Sequence, residues 1–210
     1  MLKYIIFDFD GTLVDSKDFS IQVINQLAEK YQFQNLSREQ IEELRKYSIA
    51  DRCRMMNFPL HKIPFAFIEF LLLYKEGTQQ LRLFPGIKEL LAKLEEDNYK
   101  LAVISSNTEE NIKQSLQNNQ VDNISEILAA SIFGKDKIIK KFLKNHRLKA
   151  SEVLYVGDEL RDILACKQAG VKIAWVDWGF DSIEVTKVEQ PDFFAHQPLD
   201  IYSITQSIGG

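Results

Sequence analysis

Asp8 and Asp10 stand two positions apart directly after a short apolar run, Tyr4-Ile-Ile-Phe7, and are followed by Gly11-Thr12. Carboxylates so spaced in an extended segment point the same way and repel each other unless a proton or a cation lies between them. A turn uses the same residue types, so the pair is weak by itself. Three further sets accompany it. Gly157-Asp158, with Asp162 four residues on, follows the apolar run 153–156. Ser105-Ser106-Asn107 follows the run 101–104 and offers hydroxyls and backbone N–H groups at the start of a helix, a natural place for an anion. Gly134-Lys135 opens another helical stretch and brings one cation. Together these groups suit an anion held beside a cation.

The elements that must position them follow from the periodicity. The stretches 4–7, 101–104, 153–156 and 172–176 are short, nearly continuous apolar runs rich in β-branched and aromatic residues, the pattern of strands buried on both faces. Between them, 86–97, 109–118, 135–145 and 160–169 place apolar residues three and four apart, and Gly170 stands where a C-cap is expected. Strands alternating with helices predict an α/β fold, a parallel sheet with helices on both faces and the four polar sets at its carboxyl edge.

One region breaks the alternation. From 15 to 82 only helices are predicted: 19–31, then 37–47 opened by the capping box Ser37-Arg-Glu-Gln40, then one after Pro64. In the last, Phe65, Phe67, Ile68, Phe70, Leu71, Leu72 and Tyr74 cover most of the circumference, which predicts core packing within a small helical subdomain or against its neighbour. Pro85-Gly86 marks the return to the sheet. A short strand at Phe193-Phe194 and a helix after Pro198 are expected near the end, with Gly209-Gly210 fraying.

Composition narrows the function classes. The 210 residues suffice for one core of about 120 to 150 residues with a modest insert. With 26 basic against 30 acidic residues and no basic block, nothing tracks nucleic acid or an anionic membrane. Cys53 and Cys166 are far apart and outside any metal-ligand spacing, and no apolar run is long enough for a signal peptide or a span. A soluble, cytoplasmic protein is expected.

Taken in order, the four sets resemble the motifs of the haloacid dehalogenase superfamily of phosphohydrolases. Asp8-Phe-Asp10-Gly-Thr12 resembles the first, Ser105 the second, Lys135 the third and Gly157-Asp158-x-x-x-Asp162 the fourth. The resemblance covers essentially the whole chain and is nearest to phosphoglycolate-phosphatase-like members. It implies a Rossmann-like core, 1–14 and 83–210, and an all-helical cap, 15–82. It also implies a phosphatase with Asp8 as nucleophile and Asp10 as general acid and base. Mg²⁺ would be held by Asp8, the Asp10 carbonyl and Asp158, with Asp162 behind them positioning Lys135. Phosphate would be bound by Gly11, Ser105, Ser106 and Lys135. The substrate implied is a small phosphorylated metabolite, a phosphoglycolate, sugar phosphate or nucleotide monophosphate, acted on by a monomer or homodimer. Asp10 favours phosphoryl transfer over dehalogenation. The alternatives are transfer to an acceptor other than water, as in a mutase, and a binding or regulatory relative with little turnover.

Outside these sets, Arg45, Lys46, Arg52 and Arg54 are expected to form a solvated helix face, with Arg52 the nominee to reach a distal anion. His61, His146 and His196 are expected on the surface. Cys166 is expected as a buried small hydrophobe, and Trp175 and Trp178 near the last strand, with Trp178 bordering the cleft as an option.

Overall fold

The computed structural model describes residues 1–209. The chain opens with β1 (Tyr4–Phe7) and a two-residue β2 (Val14–Asp15), then passes through four helices, α1 (Lys17–Tyr31), α2 (Arg38–Leu44), α3 (Ile49–Met55) and α4 (Ile63–Gly77). It returns through β3 (Arg82–Leu83), which pairs antiparallel with β2, Val14 opposite Leu83 and Asp15 opposite Arg82. Alternation follows: α5 (Ile87–Glu96), β4 (Lys100–Ser105), α6 (Glu109–Asn118), β5 (Ile124–Ala129), α7 (Lys135–His146), β6 (Val153–Gly157), α8 (Leu160–Ala169), β7 (Lys172–Val176), β8 (Phe193–Ala195) and α9 (Pro198–Gly209). Gly209 closes α9, and Gly210 lies outside the described residues.

Six strands form one parallel sheet in the order β5-β4-β1-β6-β7-β8. β1 is central and wholly buried, because its neighbours hydrogen-bond both edges and helices cover both faces. Its alternate side chains divide between two cores. Ile5 and Phe7 pack with Leu90 and Leu94 of α5, Ile112 of α6 and Ile201 of α9, while Tyr4 and Ile6 pack with Ile139 and Phe142 of α7 and Ile163 and Cys166 of α8. The strand order reverses about β1, so the loops after β1, β4 and β6 diverge and leave a crevice at their carboxyl ends.

Three elements escaped the periodicity. β5 is an edge strand of mixed polarity, Ile-Ser-Glu-Ile-Leu-Ala, and carries no continuous apolar run. α3 begins where Ser48 accepts from the Asp51 amide at 3.2 Å, inside a stretch read only for its charge. The β2–β3 ribbon is two residues a side. The prediction that α4 buries its apolar girdle is corrected. Tyr74 is buried, but Phe65, Ile68 and Leu72, spaced three and four apart on one face, are 67%, 59% and 65% exposed, while α1 packs against another side of α4.

Candidate active site

The loop after β1 begins at Asp8, whose amide donates to the Val156 carbonyl of β6 at 2.8 Å. Gly11 takes a left-handed conformation, φ +76°, and the loop doubles back so that the amides of Leu13 and Val14 both donate to the Phe9 carbonyl at 2.9 and 3.1 Å. Any Cβ at Gly11 would overlap the Asp158 carboxylate, so the position needs glycine for both backbone angle and room. The Asp8 side chain is buried, accepting from the Phe9 amide at 2.7 Å on one oxygen and from Lys135 Nζ on the other.

Lys135 is the first residue of α7 and is buried. Its ammonium also donates to Asp162 Oδ1 at 2.5 Å. Burial alone would favour the neutral amine, but Asp162 and Asp8 outweigh it and hold the group above the usual lysine value. Asp162 is fixed in turn by the Glu159 amide, which donates to its second oxygen at 3.1 Å. Burial lifts Asp162 to about 6, against the opposing pull of Lys135.

Asp158 follows Gly157 at the end of β6 and is fully buried. Its oxygens accept from the Thr12 hydroxyl and the Phe180 amide, each at 2.7 Å, and its carbonyl accepts from Trp175 Nε1 at 2.9 Å. Gly179 lies against it so closely that a Cβ there would overlap. Burial raises the Asp158 carboxyl well above the carboxylate range, with the charges of Glu159, Asp8 and Asp162 acting in the same direction.

Ser105 ends β4, and its hydroxyl accepts from the Asn107 amide at 3.2 Å. Ser106 Oγ accepts from Arg161 at 3.0 Å. The helix beyond begins only at Glu109, capped by Thr108, so Ser105 and Ser106 lie in the approach to α6 and not in its first turn. Asp10 is partly buried and accepts from Asn107 Nδ2 at 2.9 Å and from the Tyr74 hydroxyl of α4. Burial raises the Asp10 carboxyl, and the bonds from Tyr74 and Asn107 pull it back down.

The four sets therefore meet at one edge of the sheet, with Lys135 tying Asp8 to Asp162. Asp8, Glu159 and Asp162 each bring a carboxylate oxygen within 4.8 Å of the other two, a group that does not contain Asp158. Glu159 escaped sequence reasoning although it lies inside the fourth motif, and so did its partner Arg161, whose Nε donates to Glu159 at 2.6 Å. Burial disfavours the Glu159 charge, yet Arg161 and Lys135 keep the carboxyl below its ordinary value. Tyr74 escaped too, because among six apolar neighbours nothing marks its hydroxyl as aimed at Asp10.

Arg45, Lys46, Arg52 and Arg54 of the insert all pair within the protein. Arg52 pairs with the buried Asp181 and donates from Nε to the carbonyls of Leu44 and Tyr47, both at 2.9 Å. Arg45 clamps the same loop, donating to the Phe180 and Gly179 carbonyls at 2.9 and 3.1 Å. Lys46 and Arg54 pair with Glu43 and Asp51 on the surface. His61 is exposed, His146 bridges Tyr4 and Glu126, and Cys166 is buried. Trp178 donates to the Thr12 carbonyl at 3.2 Å and so braces the first loop. Between insert and sheet lies a cavity of about 260 Å³, with Asp10, Ser106 and Asn107 on its floor.

A parallel sheet switching strand order at β1, with a helical insert above that point and acidic loops below it, defines a Rossmann-like hydrolase. The chain belongs to the haloacid dehalogenase-like hydrolase family, whose profile matches residues 5–176. It is 28% identical over 208 residues to a phosphoglycolate phosphatase of Synechococcus elongatus, covering 98% of each chain. It is 27% identical to a glyceraldehyde 3-phosphate phosphatase of Pyrococcus abyssi, covering 85% of this chain and 83% of that one. The fold matches that of a haloacid dehalogenase-like hydrolase from Streptococcus pneumoniae with a TM-score of 0.82 at 23% identity, covering 98% and 99% of the two chains. No helix among the described residues is long and apolar enough to cross a membrane.

Proposed function

We propose that the chain is a phosphomonoester hydrolase acting through a covalent aspartyl-phosphate on Asp8, with residues 15–82 as a cap over the core formed by 1–14 and 83–210. The observation that carries this reading is the buried Asp8 carboxylate at the end of the central strand, held by Lys135 and beside the partly buried Asp10. An Asp8 oxygen forms a bond to phosphorus as the bond to the leaving oxygen breaks, and Asp10 delivers its proton to that oxygen. Asp10 then takes a proton from the water that attacks phosphorus, and Asp8 is released. Lys135, with the Ser105 and Ser106 groups and the amides of the Phe9–Gly11 loop, stabilises charge on the transferring phosphoryl oxygens.

The donor chemistry fits a divalent cation. Asp8, Asp10, Asp158, Glu159 and Asp162 crowd the crevice against only Lys135 and Arg161 among the cations that contact them, and hard oxygen donors suit Mg²⁺. Glu159 already has Arg161 and Asp162 has Lys135, whereas both partners of Asp158 are neutral donors that leave each oxygen a lone pair. Asp158 and Asp10 are thus the two carboxylates of the cluster bonded only to neutral donors, which supports Asp158 and the Asp10 loop, beside Asp8, as the metal holders. When bound, the ion would offset the mutual repulsion of Asp8 and a phosphate dianion.

The test is phosphate release from a panel of phosphomonoesters, phosphoglycolate included because of the named relatives, with and without Mg²⁺. Release that requires the ion is expected. No release from any substrate would remove the hydrolase reading and favour a binding protein.

A further inference from the structure

The cavity between insert and sheet has two unlike ends. Its floor is polar, with Asp10, Ser106, Asn107 and the Glu159–Arg161 pair, whereas the wall supplied by the insert is formed largely by Ile24, Phe33, Met56, Phe58, Phe67 and Phe70. Phe67 and Phe70 stack, with ring centroids 5.9 Å apart and planes 8° from parallel, and remain only half-buried. Ser20 is the one hydroxyl of the insert among the described residues of this lining.

The cations of the lining are already neutralised. Arg52 is bound to Asp181 and two backbone carbonyls, and Arg161 to Glu159. A second anion on a substrate, such as the carboxylate of phosphoglycolate, would enter this cavity without an unpaired cation among the described lining residues. A charge buried without a partner is strongly disfavoured, and hydroxyls facing phenylalanine rings lose their bonds to water without replacement. An apolar group loses nothing there and gains from leaving water. The volume, about 260 Å³, lies just below the roughly 300–1,000 Å³ of ordinary small-ligand pockets, so the occupant is small.

We propose that the substrate is a small phosphomonoester with an uncharged, apolar leaving group, an aryl or short alkyl phosphate, bound with its hydrocarbon against Phe58, Phe67 and Phe70. This rests on the phosphatase reading above and assigns the substrate class of the same site. The assignment rests on the wall that the insert supplies and not on the catalytic loops.

The experiment measures kcat/KM, with Mg²⁺ present, for ethyl, butyl, hexyl and phenyl phosphate against 2-phosphoglycolate and glycerol phosphate, with 4-nitrophenyl phosphate as the activated reference. The expected result is a rise of about fourfold per methylene, equivalent to ~0.8 kcal/mol for each buried CH₂, until the cavity is full. Phenyl phosphate should exceed phosphoglycolate by tenfold or more. Met56→Arg, with folding checked by thermal melting, should shift the preference towards phosphoglycolate at least tenfold, since it places a cation in the wall. A flat alkyl series, or phosphoglycolate as the better substrate of the unaltered protein, would overturn the proposal while leaving the phosphatase reading intact. Silence of every ester, the nitrophenyl one included, would overturn both.

Discussion

The hydroxyl of Tyr74, on helix α4 of the insert, donates a hydrogen bond to Asp10, three residues beyond the end of the central strand. The ring is buried against Phe19 of α1 at 5.2 Å between centroids, and Phe19 in turn fits over Gly77, where a Cβ would overlap it. The contact thus depends on how α1 and α4 pack, and it joins the insert to the proposed acid and base.

Tyr74→Phe keeps the ring and removes the donor. Hydrogen bonds to charged groups contribute about 1.5–3 kcal/mol, so kcat should fall roughly tenfold or more, with KM little changed. Burial raises the Asp10 carboxyl and the Tyr74 bond lowers it, so the variant should hold its proton to higher pH. The alkaline limb of the kcat/KM profile should move upward; an unmoved limb would separate Tyr74 from the proton transfer.

Asp8 and Lys135 should respond in opposite ways. Asp8→Asn should release no phosphate yet stay folded, since Lys135 keeps Asp162 as its partner. Lys135→Met leaves two buried carboxylates without their cation and should cost about 3–5 kcal/mol of stability. Thermal melts with and without Mg²⁺ read both effects, and added ion should recover part of the Lys135→Met loss.

Asp158→Asn removes the charge while its Oδ1 can still accept from the Phe180 amide and its Nδ2 can donate to a reoriented Thr12 hydroxyl. The Mg²⁺ concentration for half-maximal activity should rise at least about tenfold. An unchanged requirement would move the metal role to Glu159 or Asp162, the carboxylates grouped with Asp8.

A pH effect independent of catalysis is expected at the exposed pair of His196 and Asp177, whose Nδ1 and Oδ2 lie 2.5 Å apart. The bond to Asp177 raises the His196 imidazolium above its ordinary value of 6.5. Its stabilising contribution is full below that ordinary value and disappears as pH rises through the raised one. Asp177→Asn should return the His196 titration towards 6.5 by NMR and weaken the fold only on the acidic side, by less than about 1 kcal/mol.

Asp8 and Asp158 were legible because buried parallel strands write themselves as unbroken apolar runs whose ends mark the edge where loops converge, and Lys135 because it opens the helical pattern of α7. β5 was hidden by its place at the margin of the sheet, where polar residues can face water. Tyr74 was hidden by distance: 64 positions separate it from Asp10, and no local pattern records a contact made by folding. Arg52 was expected on a solvated helix face because its partner, the buried Asp181, lies 129 positions away.

The β2–β3 ribbon has a consequence for how such a protein can vary. Val14 and Leu83 sit opposite each other, so the two ends of the intervening segment are already neighbours in space. A hairpin turn, or a module of quite different size, could be spliced between them without stretching the sheet, since closing a loop costs little more as the loop lengthens. The catalytic floor can therefore be inherited unchanged while its roof is exchanged, making this junction the natural seam for grafting a new specificity.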